Sequence, residues 1–274
     1  MKRGARGLAF IPLSPFGRSR FHAPLSLRAY LVATSPLRPS HHQCLSRAQG
    51  KVFTAAELQR VSDACIRHNV LVVTDEIYEH MTFDRATHTS VAQLPGMAER
   101  TCIVNALSKT ARATGWRVGW VVAPARFTPT IRAVHDQLVL QAPTPLQVGA
   151  AAMLSMGRAH FEAIADEYLP KRELLLDALR RAGFSIGATP QGAYYLFVGY
   201  RSVPALAALN PTEAAMKMTT EYKVACVPGD NFYLGAAARA DPERGGRYLR
   251  FTFVRSLETL RAAAVKLRAL EAAS

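Results

Sequence analysis

Hydrophobic and polar positions change rhythm sharply at Gly50. Before it no periodicity is visible, and Pro12, Pro15, Pro24, Pro36 and Pro39 interrupt any helix. After it the pattern is that of an α/β protein. Thr54-Ala55-Ala56-Glu57 is a capping box. It opens a helix with Leu58, Val61 and Cys65 on one face and Asn69 as its stop. Residues 70–74 form a continuous apolar run rich in β-branched side chains, the signature of a buried parallel strand. Residues 102–104 and 118–123 read as two more such strands. Beyond Pro143-Thr144-Pro145 the spacing turns helical through roughly residues 146–182. Pro190-Gln191-Gly192 turns into a strand over 193–198. A further αβ segment closes with a strand over 248–253 and a helix from about Leu257. There is no internal repeat.

Composition narrows the class. A chain of 274 residues with 49% hydrophobic and 20% charged residues has room for one large domain or two smaller ones. No apolar run is long enough to span a membrane. Cys44, Cys65, Cys102 and Cys226 are scattered without a CxxC pair, which argues against a disulfide framework or a zinc site and suits a reducing compartment.

The net charge of +14 suggests polyanions until its distribution is read. Lys2, Arg3, Arg6, Arg18, Arg20, Arg28, Arg38 and Arg47 supply eight of those charges, and residues 1–50 contain no acid. No nucleic-acid motif accompanies them, so no nucleic-acid partner is expected. Residues 1–49 fit a disordered extension, an organellar transit peptide or a misassigned start; the abrupt onset of pattern at Gly50 favours the last.

The candidate chemistry follows the strands. Asp75 comes directly after the run 70–74, Tyr78 lies three residues on, and Lys109 follows the next strand. In open α/β sheets ligands gather beyond the carboxyl ends of strands. An amine, a carboxylate and a phenol so placed are what a pyridoxal phosphate site needs. Arg117 is a candidate for the phosphate, since its planar fork suits a dianion. Taken singly, each has a plainer role: helix cap, core phenol, solvated lysine, ion-paired arginine.

The ordered set of motifs resembles the class I/II aminotransferases, pyridoxal phosphate enzymes of fold type I. The strings are Gly50-Lys51-Val52-Phe53, Val73-Thr74-Asp75-Glu76-Ile77-Tyr78-Glu79-His80, Ser108-Lys109-Thr110, Thr114-Gly115-Trp116-Arg117-Val118-Gly119-Trp120, Pro190-Gln191-Gly192-Ala193-Tyr194-Tyr195, Val227-Pro228-Gly229 with Phe232-Tyr233, and Tyr248-Leu249-Arg250-Phe251-Thr252-Phe253. They resemble most the subgroup handling kynurenine, glutamine, methionine or aromatic amino acids. The resemblance implies that Lys109 carries the cofactor as a Schiff base and shuttles a proton. It also implies that Asp75 keeps the ring nitrogen protonated, Tyr78 bonds the 3-oxygen, Ser108 and Arg117 belong to the cofactor site, and Arg250 clamps the substrate carboxylate. The implied reaction is transamination between an amino acid and a 2-oxo acid by a homodimer. No metal is implied.

The expected fold is α/β. Residues 50–145 form part of a large cofactor-binding domain with a mostly parallel sheet, and 146–274 form a helical connection and a smaller C-terminal α+β domain. Residues 1–49 stand apart. The family's front third is not recognisable there. Arg47-Ala48-Gln49-Gly50-Lys51 stands where the family has Asn-Pro-Thr-Gly-Lys, Ala106 replaces a frequent serine, and Ala111-Arg112-Ala113 replaces aromatic or small residues. The alternative to an active enzyme is therefore a truncated, impaired relative that binds cofactor or a partner subunit without turnover. A cytoplasmic location is expected, or an organellar one if residues 1–49 are a transit peptide.

Overall fold

The computed structural model describes residues 9–13, 30–33, 50–233, 241 and 245–271. The remainder of 1–49 lies outside them, and with it the readings of that segment as tail, transit peptide or misassigned start. The described residues form two compact units. The first comprises Val52–His80 and Thr87–Glu162 together with two short strands nearer the N-terminus. The second comprises residues 50–51, Met81–Ala86 and the described residues from Ala163 onward.

The first unit is built on a five-stranded sheet. Its strands are β1 (Ala9–Leu13), β2 (Tyr30–Ala33), β3 (Val70–Asp75), β4 (Thr101–Ala106) and β5 (Gly119–Ala123), in the order β1-β5-β4-β3-β2. Patterning predicts no element before Gly50, yet β1 and β2 pair antiparallel with β5 and β3 at the two edges. The sheet is mixed. β3 and β4 are parallel, with Val72 opposite Thr101 and Asp75 opposite Val104. β5 runs antiparallel to β4, which corrects its reading as another parallel strand. The connection explains the difference: only residues 107–118 link β4 to β5, too few for a crossover helix that returns the chain to its starting edge.

Local signals shape the first helix, α1 (Ala55–Arg67). The Thr54 hydroxyl accepts from the Glu57 N–H while the Glu57 carboxylate accepts from the Thr54 N–H. Asn69 ends the turn after α1 with φ +48°, a left-handed conformation that asparagine tolerates. Leu58 and Cys65 of α1 pack with Val70, Val72, Val91 and Met97 in one core cluster, with Val61 partly buried against it.

A second cluster joins Leu107 and Val118 to Ala142 and Ala150. The last lies on α4 (Thr144–Leu154), which follows α3 (Thr128–Val139). The helix expected over 146–182 is two: α4 stops at Leu154 and α5 (Arg158–Arg181) restarts after Ser155-Met156-Gly157, all poor helix formers or caps but Met156.

The second unit carries a three-stranded antiparallel sheet, β6 (Tyr195–Gly199), β8 (Tyr248–Thr252) and β7 (Val227–Pro228), in the order β6-β8-β7. Leu175, Leu176 and Leu179 of α5 are buried, as are Leu260, Leu267 and Leu270 of the C-terminal helix Leu257–Glu271. A helix over Pro211–Thr220, α6, opens with a capping box of Asn210 and Glu213.

Met81–Ala86 are tied into this unit by polar contacts. The Phe83 N–H donates to the Gln191 carbonyl (2.7 Å) and the Ala193 N–H to that of Met81 (2.9 Å). The guanidinium of Arg172, only 3% exposed, donates to both carboxylate oxygens of Asp84 (2.6 and 2.8 Å) and to the Pro190 carbonyl (2.7 Å), and lies over the Phe83 ring. Among the described residues no helix is long and apolar enough to cross a membrane.

Candidate active site

Because β3 and β4 are parallel, both release the chain at one edge of the first unit's sheet. Asp75 is the last residue of β3. Lys109 lies in α2 (Leu107–Thr110), the short helix directly after β4. β5 is antiparallel, so it begins at that same edge, where Gly119 pairs with Ala106. Arg117 stands two residues before it. The topology thus brings Asp75, Tyr78, Ser108, Lys109 and Arg117 to one edge, beyond the carboxyl ends of the parallel pair.

Each has a definite setting. Asp75 is half-buried and its Oδ1 accepts from the Ile77 N–H at 3.3 Å, an Asx-type turn that bends the chain after the strand. Tyr78 is half-buried within the turn at residues 77–80. Ser108 is buried, and its carbonyl accepts from the Thr114 hydroxyl at 2.8 Å. Lys109 is half-buried. Arg117 is exposed and donates to the Thr114 carbonyl at 3.1 Å. Thr114 therefore ties the segment of Lys109 to that of Arg117. The Arg117 backbone has φ +54°, an uncommon conformation for a non-glycine residue.

Gly119 permits the close approach of β5 to β4. A Cβ there would lie 2.9 Å from the Asn105 carbonyl oxygen and 3.1 Å from the Ala106 Cβ.

Arg250 belongs to the second unit and is described there alone. It lies on β8, half-buried, with its guanidinium 4.2 Å from the Tyr195 ring centroid and 4.4 Å from that of Phe232. Such a position between two π-faces holds the guanidinium plane.

Glu76 is not among the residues that the motifs single out. This carboxylate is 3% exposed and accepts from Thr74 and Ser90, with His88 beside it. Burial pushes its pKa up, but the hydrogen bond and charge of His88 and the hydroxyls of Ser90 and Thr74 outweigh that and leave it below the ordinary value. The signal was in the alternation: Glu76 falls in phase with Val70, Val72 and Thr74, the buried face of β3. A carboxylate in that phase requires partners. Asn105 is not among them either; its side-chain N–H donates to Glu79 at 2.6 Å. Burial pushes the His80 pKa down, against the pull of Glu79 and with the repulsion of His88. Among the described residues no cluster of His, Cys, Asp and Glu is arranged to hold a metal.

Residues 41–267 match the family model described as "Aminotransferase class I and II". Methionine aminotransferase of Escherichia coli (strain K12) is 35% identical over 251 residues, covering 91% of this chain and 60% of that protein. Kynurenine--oxoglutarate transaminase of Dictyostelium discoideum is 34% identical over 231 residues, covering 78% and 52%. The solved structure of N-succinyldiaminopimelate aminotransferase from Mycobacterium tuberculosis matches with a TM-score of 0.74 at 30% identity, covering 81% of this chain and 55% of that one. The chain thus spans about half to three fifths of the length of these relatives.

Proposed function

Since the chain belongs to the class I and II aminotransferases, we propose that it takes part in pyridoxal phosphate-dependent transfer of an amino group from an amino acid to a 2-oxo acid. The observation that carries this reading is the shared edge: a carboxylate and an amine leave the sheet together from neighbouring parallel strands, Asp75 from β3 and Lys109 just past β4. When bound, pyridoxal phosphate supplies an electron sink for the substrate's α-carbon.

The chain's own residues divide the remaining work. Lys109 supplies the amine that holds the cofactor and the base that moves a proton at the α-carbon. Asp75 keeps a proton on the ring nitrogen, and the Tyr78 hydroxyl donates to the 3-oxygen. Ser108 and Arg117 serve the phosphate; a charge-assisted fork on a dianion is the strong form of that contact. Arg250 pairs with the substrate carboxylate, its plane steadied by Tyr195 and Phe232. The donor set fits the cofactor in chemistry: one amine, one carboxylate, one phenol and cationic or hydroxyl groups for the phosphate. The resemblance further implies a homodimer.

The names of the relatives make methionine and kynurenine the first donors to try. A second reading, cofactor binding without turnover, is favoured by Ala106, which offers no hydroxyl beside Lys109. One experiment separates the two. Purified protein is titrated with pyridoxal phosphate and followed by visible absorption, with Lys109→Ala alongside. The expected result is a band in the wild type that Lys109→Ala lacks, and 2-oxo acid formation from one of the donors. A band without product supports the second reading. Identical spectra for the two proteins would sink both.

A further inference from the structure

Glu76 is the residue after Asp75, yet by strand alternation its side chain leaves the sheet on the opposite face, in phase with Thr74. An unpaired carboxylate at 3% exposure would be strongly unfavourable. Here both oxygens are engaged. Oε1 accepts from the Thr74 hydroxyl (2.8 Å) and the Ser90 hydroxyl (2.7 Å), and Oε2 lies 2.9 Å from His88 Nε2. Ser90 is itself fixed, because its Oγ caps the following turn by accepting from the Ala92 N–H (3.3 Å). The main chain of Glu76 is held as well. Its N–H donates to the Val104 carbonyl (2.9 Å), extending the parallel ladder one residue past β3, and its carbonyl accepts from the Glu79 N–H (3.0 Å).

The anchoring continues toward Lys109. Glu79 accepts from the Asn105 side chain (2.6 Å), and Asn105 Oδ1 accepts from the Ala106 N–H (2.8 Å), the residue before α2. The turn at residues 76–79 is thus pinned from below by Glu76 and from the side by Asn105. Asp75 and Tyr78 are the two residues within or beside that turn with proposed contacts to the cofactor.

We propose that Glu76 is a positioning residue: its buried carboxylate, bonded to Thr74, Ser90 and His88, fixes the turn that presents Asp75 and Tyr78 to the ligand beside Lys109. This rests on the pyridoxal phosphate reading above. Glu76 reaches the site only through the backbone, because its side chain stands on the other face of the sheet. Supporting groups of this kind set the precision with which contacting groups are held.

The test uses the full chain with Glu76→Gln, which keeps the side chain's size but replaces one accepting oxygen with an N–H₂. Ser90→Ala, which removes one donor, serves as the milder variant should Glu76→Gln fail to fold. Pyridoxal phosphate is titrated into each protein, well below its melting temperature, and followed by visible absorption. The expected result is a dissociation constant raised about tenfold or more in Glu76→Gln, the scale of one lost hydrogen bond to a charged group, and less in Ser90→Ala. The absorption maximum and its pH dependence should shift with it. A variant that only melts earlier, with affinity and spectrum unchanged, would overturn the proposal.

Hydrogen exchange on the cofactor-free proteins gives a second, independent reading. Protection of the Glu76 and Glu79 amides should fall in Glu76→Gln while that of α1 stays. If the wild type itself shows no band that depends on Lys109, the pyridoxal phosphate reading falls, and this arm alone decides whether Glu76 anchors the turn. Unchanged exchange at both amides rejects the anchoring.

Discussion

Glu76 in the first unit and Arg172 in the second are both charged side chains about 3% exposed, and they are satisfied in opposite ways. In the first, the Glu76 carboxylate collects short-range neighbours: Thr74, His88 and Ser90 all lie within fourteen positions of it in sequence. In the second, Arg172 reaches eighty-eight positions back to Asp84 and eighteen forward to the Pro190 carbonyl, with Glu173 at its side. The local arrangement shapes one turn at the edge where the candidate chemistry sits. The long-range arrangement joins Asp84 of the segment Met81–Ala86 to α5 within the second unit, beside the backbone bonds of Met81 and Phe83. A buried charge can therefore serve precision or assembly, and the sequence distance to its partners tells which.

The sharpest way to break that comparison is to remove Arg172. Arg172→Ala leaves the Pro190 carbonyl without its donor, strips Asp84 of its bidentate partner and empties the contact over Phe83. The Asp84 side chain left behind is 43% exposed, so no buried charge is stranded; the cost is that of the unpaired Pro190 carbonyl, about 1–3 kcal/mol, to which the lost packing over Phe83 adds. The expected outcome is a loss of unfolding free energy of that size in urea titration, together with faster hydrogen exchange at the Phe83 and Ala193 amides. Those two amides bond across the same junction. An unfolding free energy within about 1 kcal/mol of wild type, the worth of an ordinary surface pair, would mean that the segment is held by its backbone bonds instead.

This contrast also marks what the sequence made legible. Signals complete within a few residues were readable before any coordinates: the Thr54–Glu57 box, the Asn69 stop and the apolar run of β3. So was the edge bearing Asp75 and Lys109, because strand ends and chemistry coincide in the same short strings. The direction of β5 was not, since it depends on what residues 107–118 can span. Helix α3 escaped because it buries no residue among those described, so its apolar positions Val134 and Leu138 face outward and mark no inner stripe. The attachment of Met81–Ala86 was invisible because its partners, Arg172, Gln191 and Ala193, lie eighty-eight or more residues further along the chain. Glu76 was legible in principle, as a carboxylate in phase with a buried strand face.

Acid sharpens the other side of the comparison. Burial raises the Glu76 pKa, but the bonds from His88, Ser90 and Thr74 leave it lowered overall. A lowered folded-state pKa means that the unfolded chain takes up the proton more readily. The stabilisation is therefore complete above the ordinary glutamate value and lost as the pH falls through the folded one. Protection factors at the Glu76 and Glu79 amides should hold from neutral pH down to the ordinary carboxylate range and then fall. Those of α1, pinned by Leu58 and Cys65 in an apolar cluster, should fall later. Hydrogen exchange across that pH range checks the order. Simultaneous loss at both places would show that acid opens the first unit as a whole rather than at the turn.

The smallest effect expected separates Arg172 from its partner. Asp84→Asn removes one charge but leaves Arg172 with Glu173 and the Pro190 carbonyl, so no buried charge is stranded. The Asp84 side chain is 43% exposed, and water screens much of what the pair contributes. Its pKa is nonetheless held down, chiefly by the hydrogen bonds from Arg172, so the contribution is present at neutral pH and lost in acid. The expected loss is about 1 kcal/mol or less at pH 7, vanishing as the pH drops below the ordinary aspartate range. Urea titrations of wild type and Asp84→Asn at neutral and acid pH measure it directly. A loss as large as that of Arg172→Ala would make the two residues a single unit, held by the pair itself and not by the guanidinium's other bonds.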